Sequence, residues 1–137
     1  MAEQFEDLRV WQTARALTNR VYALSRKDGF ADDWALKDQI RRAAVSAMSN
    51  IAEGFERRTR PQFIDFLGTA KASAGEVRSQ LYVARDQGYL GEEEFEAVSD
   101  LADKLSRQLY SLIQHLKSQG DVHDRVRELS PEYTVDS

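Results

Sequence analysis

Apolar residues recur along this chain every three or four positions, and nowhere do they alternate in the manner of a half-buried strand. Four stretches carry that helical period. From about Leu8 to Arg26 the seam is Val10, Ala14, Leu17, Val21 and Leu24, with Asp7 as the expected N-cap. Lys27-Asp28-Gly29 then ends the helix with a cation in the last turn and a glycine that tolerates positive φ. From about Trp34 to Arg57 the seam is Leu36, Ile40, Ala43, Ala47, Ile51 and Phe55, with Asp32 or Asp33 as the cap. Ala43, Ala44, Ser46, Ala47, Ser49 and Ala52 make this stretch rich in small side chains, which lets helix axes approach closely.

The third stretch opens at Thr59-Arg60-Pro61-Gln62, where Thr59 and Gln62 form a capping box and Pro61 occupies the first turn. Its seam is Phe63, Phe66, Ala70, Ser73 or Ala74, Val77, Leu81 and Ala84, and Gly88 closes it. The fourth follows Gly91 with Glu92, Glu93 and Glu94 set against the positive end of the helix dipole. Phe95, Val98, Leu101 or Ala102, Leu105, Leu109, Leu112 and Leu116 form its seam, and Gly120 ends it. Long helices of similar length joined by short loops predict an all-α, antiparallel, up-down-up-down four-helix bundle over residues 1–120. Residues 121–137 are polar, contain Pro131, and read as a largely mobile C-terminal tail.

Composition narrows the chemistry. The chain has 137 residues, 42% hydrophobic and 31% charged, with 2 prolines and 7 glycines, a balance that suits one globular domain with long helices. Cysteine is absent, which excludes disulfides, zinc–thiolate sites and thiol nucleophiles. The opening residues lack the basic-then-apolar order of a signal peptide, and no run reaches the roughly 20 apolar residues of a membrane span. The expected location is the cytoplasm, with no membrane partner. The two histidines, His115 and His123, lack the Glu-x-x-His spacing of a di-iron bundle, and there is no glycine-rich phosphate loop. No catalytic residue, metal or cofactor is therefore expected.

Charge is unevenly placed. Residues 37–60 carry six cations against three anions, whereas residues 92–117 carry six acids against three bases. The basic segment nominates Arg41, Arg42, Arg57, Arg58 and Arg60 as candidates for contacting nucleic-acid phosphates. The competing and stronger reading is that these arginines cap carbonyls, solvate a surface, or meet an acidic edge of another subunit. A second constellation is Arg42, Ser46 and Asn50, spaced i, i+4, i+8 along one side of a helix, with Glu53 and with Glu76 on the next helix. It reads as a buried polar network in which Arg42 neutralises a carboxylate. An acid/base pair of Glu53 and Glu76 is the weaker alternative.

Several of these segments are familiar. Phe5-Glu-Asp-Leu-Arg-Val-Trp-Gln-Thr-Ala14 resembles the opening signature of the 23S ribosomal RNA intervening-sequence proteins. Gln39-Ile-Arg-Arg-Ala-Ala-Val-Ser46 and Ser49-Asn-Ile-Ala-Glu-Gly-Phe55 resemble that family's second helix. Phe63, Phe66-Leu67, Ala70-Lys71, Ser73, Glu76 and Gln80-Leu81 are similar to its third, and Gly88-Tyr89 to the turn that follows. The resemblance spans about residues 5–118. It implies a left-handed four-helix bundle assembled as a ring-like homopentamer, with no established enzymatic activity. It also implies kinship with the accessory protein of diversity-generating retroelements, which binds nucleic acid and a reverse transcriptase. Where the family usually has a proline between the serines matching Ser46 and Ser49, this chain has Ala47-Met48. The retroelement proteins are basic, and this chain has a net charge of −4. The sequence thus points to a non-enzymatic, homo-oligomeric interaction or scaffold module. A sequence-nonspecific RNA- or DNA-binding accessory protein is the alternative, and a nucleic-acid-handling protein a further candidate partner.

Overall fold

The computed structural model describes residues 2–57, 59–119 and 129–135. Four α-helices account for most of them: α1 (Arg9–Ser25), α2 (Trp34–Glu56), α3 (Arg60–Asp86) and α4 (Glu92–Ser118). Short 3-10 turns at Phe5–Asp7 and Pro131–Tyr133 flank them, and no strand is present among the described residues. In packing, α1 lies against α2 and α4, and α3 lies against α2 and α4, a contact pattern consistent with a bundle.

The seams expected from periodicity are the buried faces. Val10, Ala14, Leu17, Val21 and Leu24 of α1, and Ile40, Ala47, Ile51 and Phe55 of α2, are all buried. Leu105, Leu109, Leu112 and Leu116 of α4 join them, and together these residues form one continuous core. On α3, Leu67 takes the buried position and Phe66 is half-buried at the rim. Among the buried polar groups, the Thr18 hydroxyl donates to the Ala14 carbonyl at 2.8 Å and lies 3.2 Å from the Ala44 carbonyl across the α1–α2 seam.

Helix ends follow local chemistry, with one exception. Asp33 Oδ1 accepts the Leu36 N–H at 3.1 Å, and Thr59 Oγ1 accepts the Gln62 N–H at 3.3 Å. The Glu94 carboxylate accepts the Gly91 N–H at 3.3 Å and pairs with Lys27. Asp7 does not cap α1. Its carboxylate accepts the N–H groups of Glu3 (2.9 Å) and Gln4 (3.2 Å), closing the preceding turn, and Leu8 occupies the N-cap position.

The α1–α2 and α3–α4 connections lie together. Gly29 and Gly88 adopt φ of 81° and 80°, the left-handed region that glycine enters without strain. Between them, Phe30 is fully buried and stacks on Tyr89 with ring centroids 5.5 Å apart. The Tyr89 hydroxyl donates to Asp33 Oδ2 at 2.9 Å. That hydrogen bond, followed by burial and the neighbouring charges of Asp33 and Asp32, pushes the phenol pKa up.

At the opposite extreme of the sequence, residues 129–135 lie against the start of α1. Arg9 donates to the carbonyls of Thr134 (2.9 Å) and Glu132 (3.2 Å), and the Val135 N–H donates to the Asp7 carbonyl at 2.8 Å. Leu8 and Thr134 form an isolated antiparallel bridge, and Leu129 is buried. Of the C-terminal segment expected to be mobile, these seven residues are thus seated on the bundle. Residues 121–128, with His123, and residues 136–137 lie outside the described residues.

Candidate nucleic-acid interface

The five arginines nominated by sequence do not form one patch. Arg41 and Arg42 lie in the first half of α2, and Arg57 is the residue that ends it. Fifteen helical residues separate the two groups, roughly 20 Å at 1.5 Å per residue. Counting charge along the sequence merges positions that the helix rise keeps apart.

Each arginine has its own environment. Arg41 Nε donates to Ser25 Oγ at 2.7 Å, and its guanidinium sits 4.5 Å from the Tyr22 ring centroid, so it is held against α1. Arg42 is 78% exposed at its side chain and reaches back 2.8 Å to Asp38 on its own helix. Arg57 pairs with Glu53 at 2.9 Å and lies 5.0 Å from the Phe66 ring. Arg60 is buried, at 8% exposure. It stands three residues ahead of Phe63 and shares that residue's inward face, so it cannot present its head to an external phosphate in this conformation. Arg58 lies outside the described residues. Arg41 and Arg42, with Tyr22, Asp38, Val45 and Ser46, line an open groove of about 490 Å³.

The expected polar network is replaced by a smaller one. Asn50 Nδ2 donates to the Ser46 carbonyl (2.8 Å) and to Ser46 Oγ (3.0 Å), and Ser73 Oγ on α3 donates to the same Ser46 hydroxyl at 3.0 Å. Ser46 and Asn50 are therefore members, but Arg42, Glu53 and Glu76 are not. The two nearer charges turn to partners on their own helix, Arg42 to Asp38 and Glu53 to Arg57. Glu76 is exposed on the outside of α3. At 3.6 residues per turn it lies about 100° round the helix from buried Val77, so Ser73 is the α3 side chain that reaches Ser46. Glu53 is exposed and paired with Arg57, and Glu76 is exposed, so neither sits in the buried setting that a shared-proton carboxylate pair needs. Among the described residues, no cluster of three or more His, Asp or Glu side chains is arranged to hold a metal ion. No helix among them is long and apolar enough to cross a membrane.

Sequence reasoning missed a cluster on the α3–α4 seam. Arg85 lies 5.0 Å from the Tyr82 ring and 4.5 Å from the Phe95 ring, and the two rings meet edge-on at 5.0 Å. Below them a groove of about 300 Å³ runs along Arg78, Glu96, Ser99, Asp100 and Asp103. Tyr82 and Arg85, three residues apart and off the apolar seam, were the available signal. Their meeting with Phe95 depends on interhelical register, which periodicity does not give.

Comparison with known proteins places the chain. No curated protein matches it. A solved structure, that of a protein with unknown function from the S23 ribosomal protein family of Bacteroides thetaiotaomicron, is similar in fold, with a TM-score of 0.71. That match covers 77% of this chain and 98% of the other at 22% sequence identity. Residues 6–111 match the family described as 23S rRNA-intervening sequence protein. That span is more than half of the chain, and on it the protein belongs to the 23S rRNA-intervening sequence protein family.

Proposed function

We propose that this protein is a self-associating, non-enzymatic interaction module: a left-handed, up-down-up-down bundle that works in the cytoplasm as a homopentamer. The neighbouring α1–α2 and α3–α4 connections, joined through Phe30, Tyr89 and Asp33, support the antiparallel arrangement. The observation that carries the functional reading is the outer surface. Trp34 (74% exposed), Tyr110 (56%), Tyr82 (50%), Val83 (44%) and Val45 (40%) stand in solvent on helices whose inward faces are already fully packed. Exposed tryptophan and tyrosine side chains are what protein interfaces favour, and α2, α3 and α4 each offer a partner at least one such side chain. Lysine-directed cross-linking of the wild-type chain at micromolar concentration should give a ladder of bands ending at the pentamer. A single monomer band under conditions that cross-link a known oligomer rejects the reading.

Contact with nucleic acid is the second reading, favoured by the family's name and by the open groove under Arg41 and Arg42. On this reading Arg41, Arg42, Arg57 and Arg58 meet phosphates, and Arg60 does so only after its end of α3 rearranges. Binding would be indifferent to sequence and steeply weakened by salt. A gel shift at low salt that vanishes in an Arg41→Glu/Arg42→Glu variant supports it, and a shift unchanged in that variant assigns binding elsewhere.

A further inference from the structure

Two surfaces on the outside of this molecule complement one another. The first is the outer side of α2, where Arg41 is fixed by Ser25 and Tyr22, Arg42 is exposed and paired with Asp38 on its own helix, and Val45 is exposed one turn beyond Arg41. The second is the α3–α4 groove, lined by Tyr82 from α3 and by Phe95, Glu96, Ser99 and Asp100 from α4. Asp103 at its end is already neutralised, by Arg107 at 3.0 Å and Arg78 at 3.7 Å. Glu96 and Asp100 are exposed and have no ion-pair partner among the described residues. The Ser99 hydroxyl is buried in the groove wall without a hydrogen-bond partner, an unsatisfied donor of the kind that native structures rarely leave.

The two surfaces lie on different elements and share no lining residue. Arg41 has no carboxylate partner, and Glu96 and Asp100 have no cationic one, among the described residues, so a second copy supplies the opposite charge to each. An apolar side chain accompanies each charge set, Val45 on one surface and Tyr82 on the other. We propose that the arginine-bearing side of α2 in one copy seats on the α3–α4 groove of the next, with Arg41 and Arg42 facing Glu96 and Asp100, and Val45 facing Tyr82. The contact is heterologous, joining two different surfaces, and such a contact repeats head to tail and closes into a ring when its rotation permits. The proposal rests on the self-association reading above and assigns its surfaces.

The test compares masses by light scattering for the wild-type chain, an Arg41→Glu/Arg42→Glu variant, a Glu96→Lys/Asp100→Lys variant, and an equimolar mixture of the two variants. Circular dichroism confirms that each is folded. If the first variant loses helix because Arg41 anchors α1, Arg42→Glu replaces it. Each variant should associate about tenfold or more weakly than wild type, because like charges then face each other across the contact. The mixture should recover assemblies larger than the monomer, though not a closed ring of five, because copies with two acidic surfaces must alternate with copies carrying two basic ones and an odd ring cannot alternate. An assembled wild type whose variants keep its mass overturns the surface assignment while leaving self-association intact. Variants that dissociate but whose mixture stays monomeric also overturn it. A monomeric wild type overturns both proposals.

Discussion

Gly54→Ala should destabilise this protein although alanine is the better helix former. Gly54 is buried in the last turn of α2, where the chain turns into α3. A Cβ at this position would stand 2.7 Å from Phe66 Cβ, 3.0 Å from Phe63 Cδ1 and 3.5 Å from the Phe63 carbonyl oxygen. Ordinary carbon–carbon contacts are about 3.5–4.0 Å, so nearly 1 Å must be found between the two helices. The Phe66 Cβ is fixed to its backbone and cannot rotate away, so the α2–α3 corner itself must open. Overpacking of this kind costs about 1–3 kcal/mol, against a helix-propensity gain of up to about 1 kcal/mol. Two simultaneous contacts place the clash in the upper part of its range, leaving a net loss of about 1–2 kcal/mol. Gly68→Ala and Gly75→Ala are the controls. Both glycines are exposed on α3 with nothing within 4 Å of an added Cβ, so each should gain up to about 1 kcal/mol. Urea unfolding followed by circular dichroism, with all four proteins at one concentration because association adds to apparent stability, measures the differences. A Gly54→Ala protein as stable as wild type would refute the close approach of α2 and α3 at Phe66.

Four further outcomes follow from the same contacts. The Tyr89 phenol should titrate above the ordinary value of 10.0 when followed by ultraviolet absorbance, and fall back towards it in Asp33→Asn, which keeps a helix-capping oxygen but removes the charge. Because that pKa is raised in the fold, its contribution to stability is complete below pH 10 and is lost as pH rises through the raised value; a Tyr89 that titrates normally refutes the hydrogen bond. The Glu94 carboxyl is held below its ordinary 4.5 by the Lys27 hydrogen bond first and the Gly91 N–H second, so its contribution is present above that pH and is lost on acidification through the lowered value; carbon-detected titration of Lys27→Met should show the pKa rising. Arg9→Ala should speed hydrogen exchange at the Val135 amide while the helices stay protected, since the substitution removes two hydrogen bonds to residues 129–135, each worth about 1 kcal/mol. Leu109→Ala, at a fully buried position of α4, should cost about 2–5 kcal/mol in the same urea assay.

Much of the fold was legible because burial on a helix repeats at a fixed angle. The steps through Ile40, Ala47 and Ile51, or Leu105, Leu109 and Leu112, leave little freedom in which face turns inward. Caps were equally local: Asp33 and Thr59 act within three residues of themselves. Asp7 was misread because a carboxylate between two candidate turns can serve either, and here it serves the one before it. Phe30, Leu8 and Leu129 are buried without belonging to any helical period, since loops and termini close over the ends of the bundle. The candidate site was less legible. Charge counted along a sequence ignores the 100° turn between neighbours, which carries Arg60 to the inward side of α3; the same angle keeps Glu76, expected in the Ser46 and Asn50 network, on the outside. The pairing of Ser46 with Ser73, and of Tyr82 with Phe95, depends on interhelical register, which each helix's own pattern leaves open.

If this bundle acts through its outer faces, as proposed, it does so by binding copies of itself. Sedimentation equilibrium of the wild-type chain across the micromolar range tests that most directly. The expected mass rises with concentration to a plateau at five chains. One chain mass at every concentration would contradict it.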